Sequence, residues 1–284
     1  MVDPIHLTMQ MWTPRIEIIC VGSELLLGST INTNATWLSQ EVHKLGCVAA
    51  RHTVVGDDAD CIAEAVREAL KRRTDLLIVT GGLGPTYDDK TLEGVAKALR
   101  RRLEVNEQAL KQVEAKYREL AERGAIPKFE LTPARVKMAT LPSKSIPIRN
   151  PVGTAPAVLI NYKTFKIFCL PGVPAEMKAI FAESVAPVIK QIVGDLFVAE
   201  GCLEVKGLPE SSLAPILDKV VQKWRGVYVK SHPRGFEGSE PKLEIYISVT
   251  KPSQSEAEAL REEVINQLTA EICEAKGEVK RKQP

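Results

Sequence analysis

The chain has 284 residues, more than one average domain, so a large domain with a smaller companion is the natural division. Hydrophobic residues at 44% and charged residues at 26% are ordinary for a globular protein, and a net charge of +2 selects neither a nucleic acid nor an anionic surface as partner. No uncharged run approaches the roughly 18 apolar residues of a membrane span, and residues 1–13 lack the apolar core of a signal peptide, so no membrane association and a cytoplasmic location are expected.

Residues 1–14 read as an N-terminal tail. Arg15 to Val21 is an apolar run of strand length. Thr33 to Leu45 then has Ala35, Leu38, Val42 and Leu45 on one helical stripe, with Gly46 as its stop. The unit repeats as strand Val48 to Val55, helix Asp58 to Arg73, strand Leu76 to Thr80 and helix Thr91 to Arg100. Such alternation predicts an α/β fold of three layers, α/β/α, around a mostly parallel sheet. The basic clusters at 71–73 and 100–102 close helices, where they complement the macrodipole. A further helix is predicted over Asn106 to Arg123. Prolines at 127, 133, 142 and 147 make the following stretch a connecting excursion or lid. Ala155 to Ile160 and Phe165 to Leu170 read as a hairpin, and a helix from Pro174 should break or kink at Pro187.

Beyond Gly194 the periodicity changes. Leu203 to Lys206, a helix over Ser211 to Trp224, strands Val227 to Lys230 and Lys242 to Thr250, and a helix over Ser255 to Glu274 form a smaller α+β unit. The predicted domains are therefore 15–194 and 195–275, with 276–284 a frayed basic tail. The six cysteines include no C-x-x-C pair and mostly sit beside apolar residues, as free thiols in a reducing compartment do.

The most informative segment is Thr80-Gly81-Gly82-Leu83-Gly84-Pro85-Thr86-Tyr87-Asp88-Asp89-Lys90-Thr91, between a buried strand and a helix. Glycines let backbone N–H groups approach a phosphate closely. Two adjacent carboxylates repel that phosphate unless a divalent cation (Mg²⁺, Mn²⁺ or Co²⁺) lies between, so a metal-bridged phosphate ester is expected. The alternative, an Asp acting as helix N-cap, uses only one of the two. In a parallel sheet, ligands bind beyond the carboxyl ends of the strands. Four segments qualify: Gly22-Ser23-Glu24, Gly56-Asp57-Asp58, Gly81 to Asp89, and Pro171-Gly172-Val173-Pro174-Ala175-Glu176. They bring Glu24, Asp57, Asp88, Asp89 and Glu176 to one edge. Asp57, Asp88 and Asp89 are the candidate metal ligands, with Asp57 and Asp89 the candidate catalytic pair. Gly22, Ser23, Glu24, Gly81, Gly82, Gly84, Pro85, Thr86, Pro171, Gly172 and Glu176 are the candidate substrate contacts. Taken singly, Asp57 also reads as a helix N-cap and Glu176 as a first-turn dipole partner. No Ser lies in a G-x-S-x-G elbow, and among the histidines only His232, in an expected loop Ser231-His232-Pro233-Arg234-Gly235, is a functional candidate.

These motifs, together with Leu25 to Gly28, Thr30-Ile31-Asn32-Thr33-Asn34 and Lys206 to Ser211, resemble the CinA (competence-damage-inducible) family. Its N-terminal domain has the molybdopterin-binding MoaB/MogA fold, and its small second domain is KH-like. The resemblance covers nearly everything from Arg15 to Thr250 and places the family's two pocket aspartates at Asp57 and Asp89. It departs at Ser23, where relatives often carry Asp or Thr. The resemblance implies metal-dependent cleavage of ADP-ribose to AMP and ribose 5-phosphate, with a small nucleotide as substrate and a homodimer as the assembly. Its second implication is a molybdopterin carrier or adenylyltransferase using the same pocket. The chain ends before the C-terminal domain that carries nicotinamide mononucleotide deamidase activity in longer members, so that activity is expected to be absent. A third reading, an RNA-binding module, draws on the G-x-x-G spacing of Gly235-Phe236-Glu237-Gly238. Glu237, the nearby Glu240 and the scarcity of aromatics argue against a nucleic-acid partner.

Overall fold

The computed structural model describes residues 14–237 and 240–282, so the expected tail, apart from Pro14, lies outside the described residues. Two compact units result, one of Pro14–His43 with Cys47–Ile192, the other of Lys44–Gly46 with the chain from Val193 onward.

The first unit is built on strands β1 (Arg15–Val21), β2 (Val48–Val55) and β3 (Leu76–Thr80) and helices α1 (Ser23–Leu26), α2 (Thr33–Lys44), α3 (Ala59–Lys71) and α4 (Thr91–Leu99). β4 (Leu103–Val105), α5 (Glu107–Glu122), α6 (Pro133–Lys137), β5 (Thr140–Pro142), β6 (Ile146–Ile148), β7 (Ala157–Tyr162), β8 (Phe165–Leu170) and α7 (Pro174–Ile180) follow. The main sheet has the order β2-β1-β3-β8-β7-β6. Its first four strands are parallel, and β7 runs antiparallel to both its neighbours. On one face Ile19, Leu77, Val79, Ile167 and Cys169 join Ile62 and Val66 of α3, Val95 of α4 and Val113 of α5 in a common core. Trp37 of α2 meets Phe181 edge-on at 5.4 Å between ring centroids, joining α2 to the helical run that follows β8. Helices thus cover both faces of the sheet, giving the expected three layers.

Pro187 does not end that run. A π-turn over Phe181–Val185 precedes α8 (Ala186–Val193), and this wider turn accommodates the proline that a regular helix would not. The excursion after α5 holds a short helix and three-residue strands, with β5 pairing β4 and β6 pairing β7.

The second unit comprises β9 (Phe197–Lys206), α9 (Glu210–Lys223), β10 (Val227–Glu237), β11 (Glu240–Lys251), α10 (Gln254–Glu274) and β12 (Glu278–Lys282). Its sheet has the order β10-β11-β9-β12 with every neighbour antiparallel, the β-α-β-β-α-β arrangement of ferredoxin-like folds. Leu203, Val205, Ile245 and Ile247 pack with Leu213, Val220, Val264 and Leu268 of its helices. Three expectations are corrected here. Residues 278–282 are not a frayed tail but an edge strand, in register with β9 from Glu278 opposite Lys206 to Lys282 opposite Cys202. His232 lies not in a loop but in β10 opposite Glu244, because the proline sits where the ladder shifts register between Pro233 and Phe236. Gly235, expected to open a G-x-x-G loop, also belongs to β10, while Gly238 lies outside the described residues.

Candidate functional site

Val21 is in register with Val55, Cys20 with Thr80, and Thr80 with Leu170, so four strands end level and release their loops at one edge. The third loop is held by its glycines and by Thr91. Gly81 has φ 107°, and a Cβ there would lie 2.1 Å from the carbonyl oxygen of Val21. Gly82, at φ 61°, leaves no space for a Cβ beside the Thr91 hydroxyl at 2.5 Å. Thr91 Oγ1 donates to Gly81 O at 2.7 Å, and Thr80 Oγ1 donates to Pro171 O at 3.0 Å, tying the third loop to the fourth.

The two acidic residues of this loop converge on Thr86. Asp89 Oδ2 accepts from Thr86 N at 2.8 Å and lies 2.6 Å from Thr86 Oγ1, which is also within hydrogen-bonding reach of Asp88 Oδ1. One hydroxyl has one proton and serves one carboxylate at a time. The Thr86 hydrogen bond is the main reason that the Asp88 carboxyl is held below its usual range, so Asp88 is ionised at neutral pH. Asp89 is no helix cap: α4 begins after Lys90, and the aspartate instead closes the 86–89 turn. Gly84 lies against it, since a Cβ there would fall 2.6 Å from Asp89 Oδ2. Lys137 of α6 donates its ammonium to the carbonyl of Thr86, which brings the excursion onto the loop. Pro85 and Tyr87 are exposed, Tyr87 to 89%.

Asp57 is freed from capping by its neighbour. Asp58 caps α3, accepting from Asp60 N and Cys61 N at 2.9 Å each. Asp57 Oδ2 accepts from Ser23 N at 2.7 Å, and Ser23 Oγ accepts from Asp57 N at 3.2 Å, so these two residues lock the first and second loops together. Ser23 therefore has a defined polar role. Glu24 lies beside Gly22, whose Cβ position is 2.4 Å from the Glu24 carboxylate, and faces a cavity of about 130 Å³. Gly81, Gly172 and Asn34 share that cavity. Glu176 turns to the loop after β6, where its Oε2 accepts from Asn150 Nδ2 at 2.6 Å.

The structure thus pairs Asp88 with Asp89, and Asp57 with Ser23. Among the described residues no three His, Cys, Asp or Glu side chains are arranged to hold a metal ion.

Residues 17–191 match the family described as "Probable molybdopterin binding domain". The chain belongs to this molybdopterin-binding domain family. A relative from Pyrobaculum arsenaticum is 44% identical over 251 residues, covering 88% of this chain and 92% of its own. One from Aeropyrum pernix is 41% identical over 266 residues, covering 94% and 96%. The crystal structure of the protein CinA with unknown function from Thermoplasma acidophilum is 40% identical, with a TM-score of 0.57, over 62% of this chain and 98% of that one. Among the described residues no helix is long and apolar enough to cross a membrane.

Sequence reasoning missed several polar residues of this molybdopterin-binding-family domain. Asn34 Nδ2 donates to Gly172 O at 2.7 Å, whereas its Oδ1 is buried with no partner among the described residues. Asn150, Lys137 and Thr91 were equally silent as site residues. Their common signal is weak: a polar side chain beside a loop glycine or at a helix end.

Proposed function

We propose that the first unit binds a phosphorylated pterin of the molybdopterin type in the cavity between the loops after β1, β3 and β8. The family match supports this reading, and the observation that carries it is the buried, unpartnered Oδ1 of Asn34 in the cavity wall. A buried acceptor without a donor is costly, and the amino and amide N–H groups of a pterin supply one. The Gly81–Gly84 backbone then offers close approach to the phosphate. Protein purified, acid-denatured and oxidised should release a fluorescent pterin in near-stoichiometric amount, and Asn34→Leu should not. A wild-type protein that neither releases pterin nor binds an added one sinks this reading.

A second reading, divalent-metal-dependent hydrolysis of ADP-ribose, is favoured by the single proton at Thr86 facing two carboxylates. Two carboxylates with a substrate phosphate suit Mg²⁺, which rarely uses an all-protein cage. Asp88 and Asp89 would hold the ion, which when bound polarises a pyrophosphate and acidifies water. Thr86 and Lys137 would keep the two carboxylates in place. Chromatography after incubation with ADP-ribose and Mg²⁺, Mn²⁺ or Co²⁺ should then give AMP and ribose 5-phosphate, with none in excess chelator. A second copy of the chain is the proposed partner, and light scattering at micromolar concentration should give twice the 31.2 kDa chain mass.

A further inference from the structure

A separate cavity of about 410 Å³ opens between α5 and the loop after β6, within the size range of small-molecule sites. Its helix wall carries Lys111, Gln112 and Lys116, and its loop wall carries Arg149. The loop wall is rigid. Asn150 Nδ2 donates to Ala155 O at 2.9 Å and to Glu176 Oε2 at 2.6 Å, while its Oδ1 accepts from Val152 N and Gly153 N at 3.1 and 2.8 Å. All four hydrogen-bonding capacities of that amide are used, so it holds the wall and does not recognise a ligand. Gly153 completes the fit, because a Cβ there would fall 2.1 Å from the Glu176 carboxyl.

The charge in this cavity is unbalanced. Glu119, its acidic residue, already pairs with Lys116 at 3.3 Å and with Arg123 at 2.7 Å. Among the described residues neither Lys111 nor Arg149 has a carboxylate partner, and both side chains are exposed at the cavity. Gln112 supplies a different demand: its Oε1 is buried with no donor among the described residues. Two cations ask for a dianion and a buried acceptor asks for a hydroxyl or amino hydrogen.

We propose that this cavity is a second ligand site that takes a phosphorylated sugar, the phosphate between Lys111 and Arg149 and a sugar hydroxyl on Gln112 Oε1. The site stands apart from the pterin reading, since it shares neither Asn34 nor the glycine loop with it.

Calorimetric titration of the full chain with ribose 5-phosphate, inorganic phosphate and ribose tests this. Ribose 5-phosphate should bind saturably, more tightly than phosphate, and ribose should not bind. The double substitution Lys111→Gln with Arg149→Gln should weaken ribose 5-phosphate about tenfold or more. Gln112→Leu should weaken ribose 5-phosphate and leave inorganic phosphate unchanged, whereas Asn34→Leu and Asp89→Asn should alter neither. The cationic side chains are exposed, so a wild-type melting temperature is expected for the double variant. Absence of saturable binding, binding unaffected by the double substitution, or loss of binding in Asp89→Asn would overturn the proposal. A failure of pterin release would not touch it.

Discussion

Thr91 Oγ1 donates to the carbonyl of Gly81 at 2.7 Å from a fully buried position, so the first residue of α4 holds the first glycine of the glycine-rich loop after β3. The same hydroxyl oxygen occupies the space that a Cβ on Gly82 would need. Thr91→Val keeps the shape and removes the donor, leaving a buried carbonyl with one partner fewer. A loss of about 1–3 kcal/mol in denaturant unfolding is expected, with Thr91→Ser close to wild type. Equal stability of the Val and Ser variants would refute this keystone role.

Asp89 closes the 86–89 turn, so its substitution separates charge from geometry. Asn keeps an oxygen for Thr86 N, and Asp89→Asn should melt near the wild-type temperature. If Asp89 holds a cation with a substrate phosphate, the same variant should lose ADP-ribose turnover. Asp89→Ala removes the turn acceptor as well and should cost about 1 kcal/mol, since water reaches the exposed Thr86. Full turnover in the Asn variant would remove Asp89 from the chemistry and leave Asp88 to be tested.

Gly81→Ala should be the most damaging small change at the site. The residue has φ 107°, and the new methyl would sit 2.1 Å from a backbone oxygen of β1, which no side-chain rotation relieves. A loss of at least ~3 kcal/mol is expected from strain and the forced separation of β1 and β3. Retention of wild-type stability would mean that the loop has another accessible conformation.

How much of this was legible in the sequence depends on where each interaction originates. Strands Arg15–Val21, Val48–Val55 and Leu76–Thr80 have the predicted bounds, because each is stopped by a glycine, and in the first and third a largely buried apolar run adds a second local signal. The three-residue strands Leu103–Val105, Thr140–Pro142 and Ile146–Ile148 exist only through their tertiary partners, and two of them contain proline. The four site loops were readable from their glycines. The role of Asn34 was not, although it stands in the quoted motif Thr30 to Asn34, since its partner Gly172 is 138 residues away and the sequence announces no direction for its side chain. The alternative reading of Asp57 as a helix N-cap stayed open in the sequence for a similar reason: Asp57 and Asp58 are adjacent, and only geometry decides which accepts from the helix amides.

The thiols give a check of burial that needs no ligand. Cys20, Cys47, Cys169 and Cys202 are buried, while Cys61 and Cys273 are exposed, and all six are free. Burial pushes the Cys47 and Cys169 thiols up to about 12. The native protein should therefore react with a disulfide reagent at two positions and the unfolded protein at six. Asp58 accepts a hydrogen bond from the Cys61 thiol and raises its pKa, so Cys273 should react first at neutral pH. Mass mapping that finds Cys61 labelled first would contradict this order.

Glu17 gives the fold its clearest pH dependence. It is almost fully buried in β1, and Arg72 grips it with Nε at 2.9 Å from Oε1 and an Nη at 2.7 Å from Oε2, while Thr74 Oγ1 donates to Oε1 at 2.7 Å. Burial by itself raises the carboxyl pKa, but the bonds from Arg72 and Thr74 and the Arg72 charge outweigh it, and the net direction is down. A carboxyl lowered in the folded state binds fewer protons there than in the unfolded chain, so its contribution is complete above the unfolded value of about 4.3 and fades as pH falls through the folded one. Arg72→Met leaves a buried carboxylate with the Thr74 hydrogen bond and only the weaker influence of the Arg51 charge, and should cost about 3 kcal/mol at pH 7. That deficit should shrink as pH drops below about 4, where the unfolded carboxyl is protonated and the wild type gives up the same interaction. Denaturant unfolding of both proteins between pH 3 and pH 7 reads the difference directly. A gap between them that stays constant across that range would show that Arg72 stabilises the fold by packing alone, and a gap that widens toward acid would reverse the assigned sign.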